Sequence, residues 1–170
     1  MMSGRIELIK GDITSLEADA IVNAANKTLL GGGGVDGAIH KAAGPELLEE
    51  CRMLNGCETG QSKITAGYRL KARHIIHTVG PVWHGGQQNE CALLASCYQT
   101  TLLLASDNKL GSIAFPAIST GIYRFPVELA ATIAVIETKR FLKKHNYPVK
   151  VIFVTFNDEN YESYSKALSQ

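Results

Sequence analysis

Two hydrophobic rhythms alternate along the chain. Short apolar or two-residue-period runs predict strands at Arg5–Ile9, Ala20–Ala25, Ser62–Ala66, His74–Val79, Ser112–Ala117 and Val149–Phe156. Longer segments with a helical period lie between them. Val35–Ala43 predicts a helix that Gly44-Pro45 interrupts. Pro45 suits the first position of a second helix, with Leu47, Leu48, Cys51 and Leu54 on one face. Glu90–Ser106 predicts a third helix and Glu159–Leu168 a last one. The fourth starts at Pro126, and Val127, Ala130, Ala131, Ala134, Val135, Phe141 and Leu142 form its core stripe. Alternation of this kind predicts an α/β protein: three α/β/α layers around a mixed, mostly parallel sheet. In such sheets ligands sit at the carboxyl ends of the strands. The loops after Ala20–Ala25, Ser112–Ala117 and Val149–Phe156 are therefore the places to look.

Composition narrows the picture. The 170 residues suit one domain over 1–170, and 45% apolar content is enough for a core. A formal charge of +1 argues against general nucleic-acid binding. It leaves room for an anion pocket built from backbone N–H groups. The apolar runs are too short to span a bilayer, and Met1–Lys10 reads as neither signal nor transit peptide, so a cytoplasmic or nuclear location is expected. Cys51, Cys57, Cys91 and Cys97 fit neither zinc nor redox spacing and are expected to be reduced, mostly packing residues. His74 and His77 face opposite sides of one strand, so no metal site is expected. The basic run Lys139, Arg140, Lys143, Lys144 and His145 reads as a solvated helix end that complements the dipole, with a partner-binding patch as the alternative.

The chemistry concentrates in Asn23–His40, NAANKTLLGGGGVDGAIH. Four glycines in a row cost about 1 kcal/mol each in chain entropy. Between core elements, that cost points to a backbone that approaches a ligand and turns N–H groups toward an anion at a helix N-terminus. Gly32, Gly34 and Gly37 also spell GxGxxG. A dinucleotide fold, however, places its first glycine directly after the strand and an acidic residue about 20 positions on, and the nearest candidate here, Glu58, lies in a polar turn. A second turn, Pro116–Pro126 (PAISTGIYRFP), again joins a strand to a helix. Taken alone it is either an ordinary turn or an anion cradle; beside the first loop, it makes a clasped diphosphate the simplest ligand. Asn23 and Asn26 are amides in apolar surroundings and need partners, structural or ligand. Asp12 is a cap, or an acceptor for an exocyclic amine; Asp36 is a helix cap, or a residue with a ribose-binding or chemical role.

Together GDIT, IVNAAN…GGGGVDGAIHKAAG, IIHTVGPVW and PAISTGIY resemble the macrodomains, most closely the MacroD-type class, from about Arg5 to Tyr164. The resemblance implies the macrodomain fold and binding of ADP-ribose without a cofactor. It also implies hydrolysis of the ester between ADP-ribose and Asp or Glu side chains of mono-ADP-ribosylated proteins, and deacetylation of O-acetyl-ADP-ribose. By the same resemblance Asp12 and Ile13 recognise adenine, and Phe156 lies against its ring. Asn23, Asn26 and Asp36 sit by the distal ribose. Gly32, Gly33, Gly34 and Val35 form the first phosphate loop; Ser119, Thr120, Gly121, Ile122 and Tyr123 form the second. His40 matches the family's helix histidine near the site, with helix packing and a hydrogen bond as its alternative role. The catalytic set is then Asp36, Asn23, Asn26 and His40, with Asp36 and a ligand phosphate holding the water. A monomer is expected, and a non-catalytic ADP-ribose reader is the rival reading. One departure is Arg124, where the family commonly has a small residue; if that position needs a positive φ, arginine adds strain.

Overall fold

The computed structural model describes residues 4–170; Met1, Met2 and Ser3 lie outside it. Six strands and five helices follow one another: β1 (Ile6–Lys10), β2 (Ala20–Ala25), α1 (Gly34–Ala43), α2 (Pro45–Arg52), β3 (Ser62–Ala66), β4 (His74–Val79), α3 (Glu90–Asp107), β5 (Ser112–Phe115), α4 (Val127–Leu142), β6 (Lys150–Thr155) and α5 (Asp158–Leu168). The sheet order is β1-β6-β5-β2-β4-β3. All neighbours run parallel except β3, which pairs antiparallel with β4. The α/β/α architecture with a mixed, mostly parallel sheet is as expected. None of the described helices is long and apolar enough to cross a membrane.

Period-2 alternation splits the core into two. Ala20 and Val22 of β2 pack with α3, α4 and α5 through Leu94, Tyr98, Ala131 and Tyr164. Ile21 and Ala25 point the other way, against Ile39 of α1 and Leu47 and Cys51 of α2. That second face places the site, because Asn23 shares its parity with Ile21 and Ala25.

Boundaries shift where local chemistry overrides the apolar pattern. β5 stops at Phe115, since Pro116 has no N–H for the ladder. Pro126 is not the first residue of α4 but its cap, with extended backbone (φ −55°, ψ 127°). α5 starts a residue early because the Asn157 side chain accepts from the Asn160 N–H at 2.9 Å. The basic end of α4 is a solvated face: Lys143 and Lys144 are exposed, and Arg140 pairs with Glu137 at 3.0 Å.

Arg5 closes this corner. Its guanidinium donates to the carbonyls of Leu142 (2.8 Å), His145 (3.0 Å) and Pro148 (2.6 Å), tying β1 to the open end of α4. Charged donors to otherwise free carbonyls carry more than neutral ones. Arg5→Ala is expected to lower unfolding stability by about 2 kcal/mol. Arg5→Lys should recover less than half, because one ammonium cannot span the same carbonyls. Denaturant unfolding of the three proteins measures both.

Candidate active site

The carboxyl ends of the five parallel strands open onto one cleft of about 670 Å³. Each strand contributes: Asp12 and Ile13 after β1, Asn26 and the glycines after β2, Gly80 after β4, Ser119–Tyr123 after β5, and Phe156 and Asn160 after β6. Three of these loops are the ones expected from sequence.

The first loop is held by Asn26. Its Nδ2 donates to the Gly31 carbonyl at 3.0 Å, and its Oδ1 accepts from the Thr28 N–H at 3.1 Å. Gly31 (φ 93°) and Gly34 (φ 57°) adopt backbone that side chains disfavour. Gly33 caps α1 without a side-chain bond, so the N–H groups of the first turn are left free toward the cleft. Gly32, Gly33, Gly34 and Val35 all line it.

The second loop approaches from the opposite wall with Ser119, Thr120, Gly121, Ile122 and Tyr123. Ile122 is 81% exposed and overhangs the first loop at Gly33. Ser119 and Arg124 both have positive φ, at 66° and 63°. Arg124 thus meets the condition under which arginine adds strain, and its side chain is exposed. Arg124→Gly is therefore expected to raise unfolding stability by about 0.5–1 kcal/mol, the left-handed cost less the entropy glycine adds. Thermal unfolding measures this.

The loop after β4 buttresses the second loop, a part that sequence reasoning missed. The Trp83 N–H donates to the Tyr123 carbonyl at 2.8 Å, and its ring packs on Phe125 with centroids 4.8 Å apart. Glu90, buried at the start of α3, holds that loop by accepting from the N–H groups of His84 (2.7 Å), Gly86 (3.0 Å) and Gln88 (2.6 Å). Burial alone would raise the Glu90 pKa; these donors outweigh it and hold the carboxyl down at about 2.

Asp12 keeps its turn role and also lines the cleft: its Oδ1 accepts from the Thr14 N–H (2.9 Å) and hydroxyl (2.7 Å), which lower its pKa. Phe156 stands at the mouth, 87% exposed.

Asp36 is the buried charge of the site. It lines the cleft at only 4% exposure. Its Oδ1 accepts from Asn23 Nδ2 at 2.9 Å and lies 3.4 Å from His40 Nε2, one helical turn on. Burial raises its pKa above the ordinary carboxylate value; the Asn23 bond and the nearby His40 pull part of that back. Asn23 and His40 are not on the cleft wall. Asn23 is fully buried behind Asp36, because its position on β2 aims it at α1. Behind Asn23 lies His77 of β4, with Nδ1 3.1 Å from Asn23 Nδ2 and Nε2 3.0 Å from the Thr65 hydroxyl. The sequence signal for His77 was a polar residue inside the apolar strand HIIHTV.

Among the described residues no group of His, Cys, Asp or Glu could hold a metal ion. None of the four free cysteines lines the cleft, and burial pushes the Cys51 and Cys97 thiols up to about 11. A cysteine nucleophile at this site has no support.

Known proteins are similar to this chain in sequence and in fold. The Macro domain model matches residues 22–134. A macro domain-containing protein of Methanosarcina mazei is 61% identical over 166 residues, 98% of this chain and 89% of that protein. ADP-ribose glycohydrolase MACROD2 of Xenopus laevis is 54% identical over 168 residues, 98% of this chain and 40% of that protein. Among solved structures, a variant of the Oceanobacillus iheyensis macrodomain with ADPR is similar at TM-score 0.91 and 44% identity, covering 96% of this chain and 91% of that one. The Trypanosoma brucei macrodomain in complex with ADP-ribose is similar at TM-score 0.91 and 47% identity, covering 96% of this chain and 69% of that one. By sequence and by fold, the chain belongs to the macro domain family.

Proposed function

We propose that the cleft binds ADP-ribose and that the protein hydrolyses the ester joining ADP-ribose to Asp or Glu side chains, or to acetyl in O-acetyl-ADP-ribose. The observation that carries this reading is Asp36: a buried, raised-pKa carboxylate at the foot of the glycine loop, facing the cleft. Such a group suits a general base better than a surface carboxylate does. The similar Oceanobacillus and Trypanosoma structures hold ADPR and ADP-ribose, and the Xenopus relative is named an ADP-ribose glycohydrolase.

On this reading the ligand spans the cleft. The diphosphate lies between Gly32–Val35 and Ser119–Tyr123, held by backbone N–H groups. Adenine lies at Asp12, Ile13 and Phe156. The distal ribose comes to Asn26 and Asp36. A water bound between Asp36 and a ligand phosphate oxygen attacks the ester and gives up its proton there. The ribose oxygen leaves with the proton that Asp36 took from water, and the products are ADP-ribose and the free carboxylic acid. Asn23 and His40 act by holding Asp36. Fixing the diphosphate at two loops uses binding energy to place the scissile bond.

Calorimetric titration with ADP-ribose, then turnover of a protein mono-ADP-ribosylated on glutamate, tests the reading. Saturable binding with release of ADP-ribose supports it. Binding without turnover of either ester would leave a reader module instead.

A further inference from the structure

We infer that His77, buried on β4 and off the cleft wall, is a positioning residue for Asp36, acting through Asn23. The catalytic consequence rests on the ester-hydrolysis reading; the proton arrangement does not.

Strand register brings these groups together. β2 and β4 are parallel with Asn23 opposite His77, and β3 returns antiparallel with Thr65 near His77, two pairs along the ladder. All three side chains lie on the sheet face that α1 covers. The hydrogen-bond roles then follow in order. The Thr65 hydroxyl donates to the Ala66 carbonyl at 3.1 Å, so its oxygen is left to accept. His77 Nε2, 3.0 Å away, must carry a proton and donate it. Nδ1 is then bare and accepts one Asn23 amide proton at 3.1 Å. The other amide proton goes to Asp36 Oδ1 at 2.9 Å.

Asn23 Oδ1 is left buried with no partner among the described residues. That is a costly arrangement. The amide keeps it because the reverse orientation would aim the same oxygen at the Asp36 carboxylate. The bare His77 Nδ1 and the Asp36 carboxylate are both met only in this orientation, so together they fix which end of the amide Asp36 meets. Burial fits the ring for this role. It pushes the His77 pKa down to about 3, with His40 adding to the effect, so the ring stays neutral and Nδ1 stays an acceptor. The titratable groups that face Asp36 are His40 of its own helix, Cys51 of α2 and, through Asn23, His77 of β4.

The test uses the full chain. In the wild-type protein, nitrogen-15 NMR of the ring is expected to show His77 neutral, with the proton on Nε2, down to pH 5. Carbon-detected titration of the Asp36 carboxyl then compares wild type, His77→Leu and His77→Asn. His77→Leu is expected to raise the Asp36 midpoint by about one pH unit, since a hydrogen bond to the charged form is lost. Below that midpoint kcat for ester hydrolysis should fall about tenfold, with KM unchanged. His77→Asn, which offers an oxygen near the Nδ1 position, should restore much of both. Thr65→Val, a milder change, should move the midpoint in the same direction and covers the case in which His77→Leu does not fold. A proton on Nδ1 in the wild type overturns the inference, as does an Asp36 midpoint that stays put in His77→Leu and Thr65→Val. If the wild type turns over no ester, the function reading fails, and the NMR arms still decide the proton arrangement.

Discussion

Asp36→Ala is expected to lower kcat on O-acetyl-ADP-ribose by about 10²–10⁴-fold, the range a positioned general base contributes. ADP-ribose affinity should change by less than about tenfold, because the diphosphate loops hold the ligand through their backbone. A loss confined to kcat assigns Asp36 to the reaction; a matching loss of affinity would make it a binding residue. The pH profile carries a second signature. Burial raises the Asp36 pKa, so the acid limb of kcat should lie above the ordinary carboxylate range, and activity should fall as pH drops through it. Stability moves the other way. The folded pKa is raised, so the folded state favours the protonated form, and that stability is lost as pH rises through the folded pKa. Asp36→Asn, neutral at every pH, should therefore unfold at a higher temperature than wild type at neutral pH while hydrolysing poorly. Kinetics and thermal unfolding across pH 4–8 measure both.

Gly37→Ala is expected to weaken ADP-ribose binding by about 100-fold and to lower stability by about 1–3 kcal/mol. Inside a helix this exchange ordinarily stabilises by about 1 kcal/mol. Here the sign reverses, because an added Cβ would stand 2.5 Å from the Gly32 carbonyl oxygen. That oxygen is backbone and cannot swing aside. Relief requires the first loop to lift from α1, and its N–H groups move with it. Gly37 thus serves the site by letting the glycine run fold back onto its own helix. Titration calorimetry beside denaturant unfolding checks the pair; a stability gain with unchanged affinity would show that the loop is not seated this way.

The strands that read most clearly were those with sharp flanking turns. β2, β3 and β4 fall where the apolar pattern put them, because a two-residue period and those turns leave little choice of register. Strand direction was less legible: SKITA gives no local sign that β3 runs antiparallel, since that depends on the path of the chain after α2. In the site, the glycines, Asp12, Asn26 and the second loop were legible because they break an apolar pattern or demand unusual backbone. Arg124 was legible only as a condition: its departure from the family pattern implied strain if the position took a positive φ, and φ there is 63°. Behind Asp36 only Asn23 was legible, as an amide in an apolar strand; its partners His77 and Thr65 were not, because the three residues lie on three strands and meet only through register, which no local spacing encodes. Glu90 was hidden for a similar reason: as a first-turn helix acid it looked ordinary, and its partners are backbone N–H groups of a loop.

Whether the cleft takes ADP-ribose across its two glycine-bearing loops is decided by one titration: ADP-ribose added to the nitrogen-15-labelled wild-type protein, followed by amide resonances. Saturable one-to-one binding is predicted, with the largest shifts at Asp12–Ile13, Gly32–Asp36 and Ser119–Tyr123. An absence of saturation, or shifts centred away from these three loops, would contradict it.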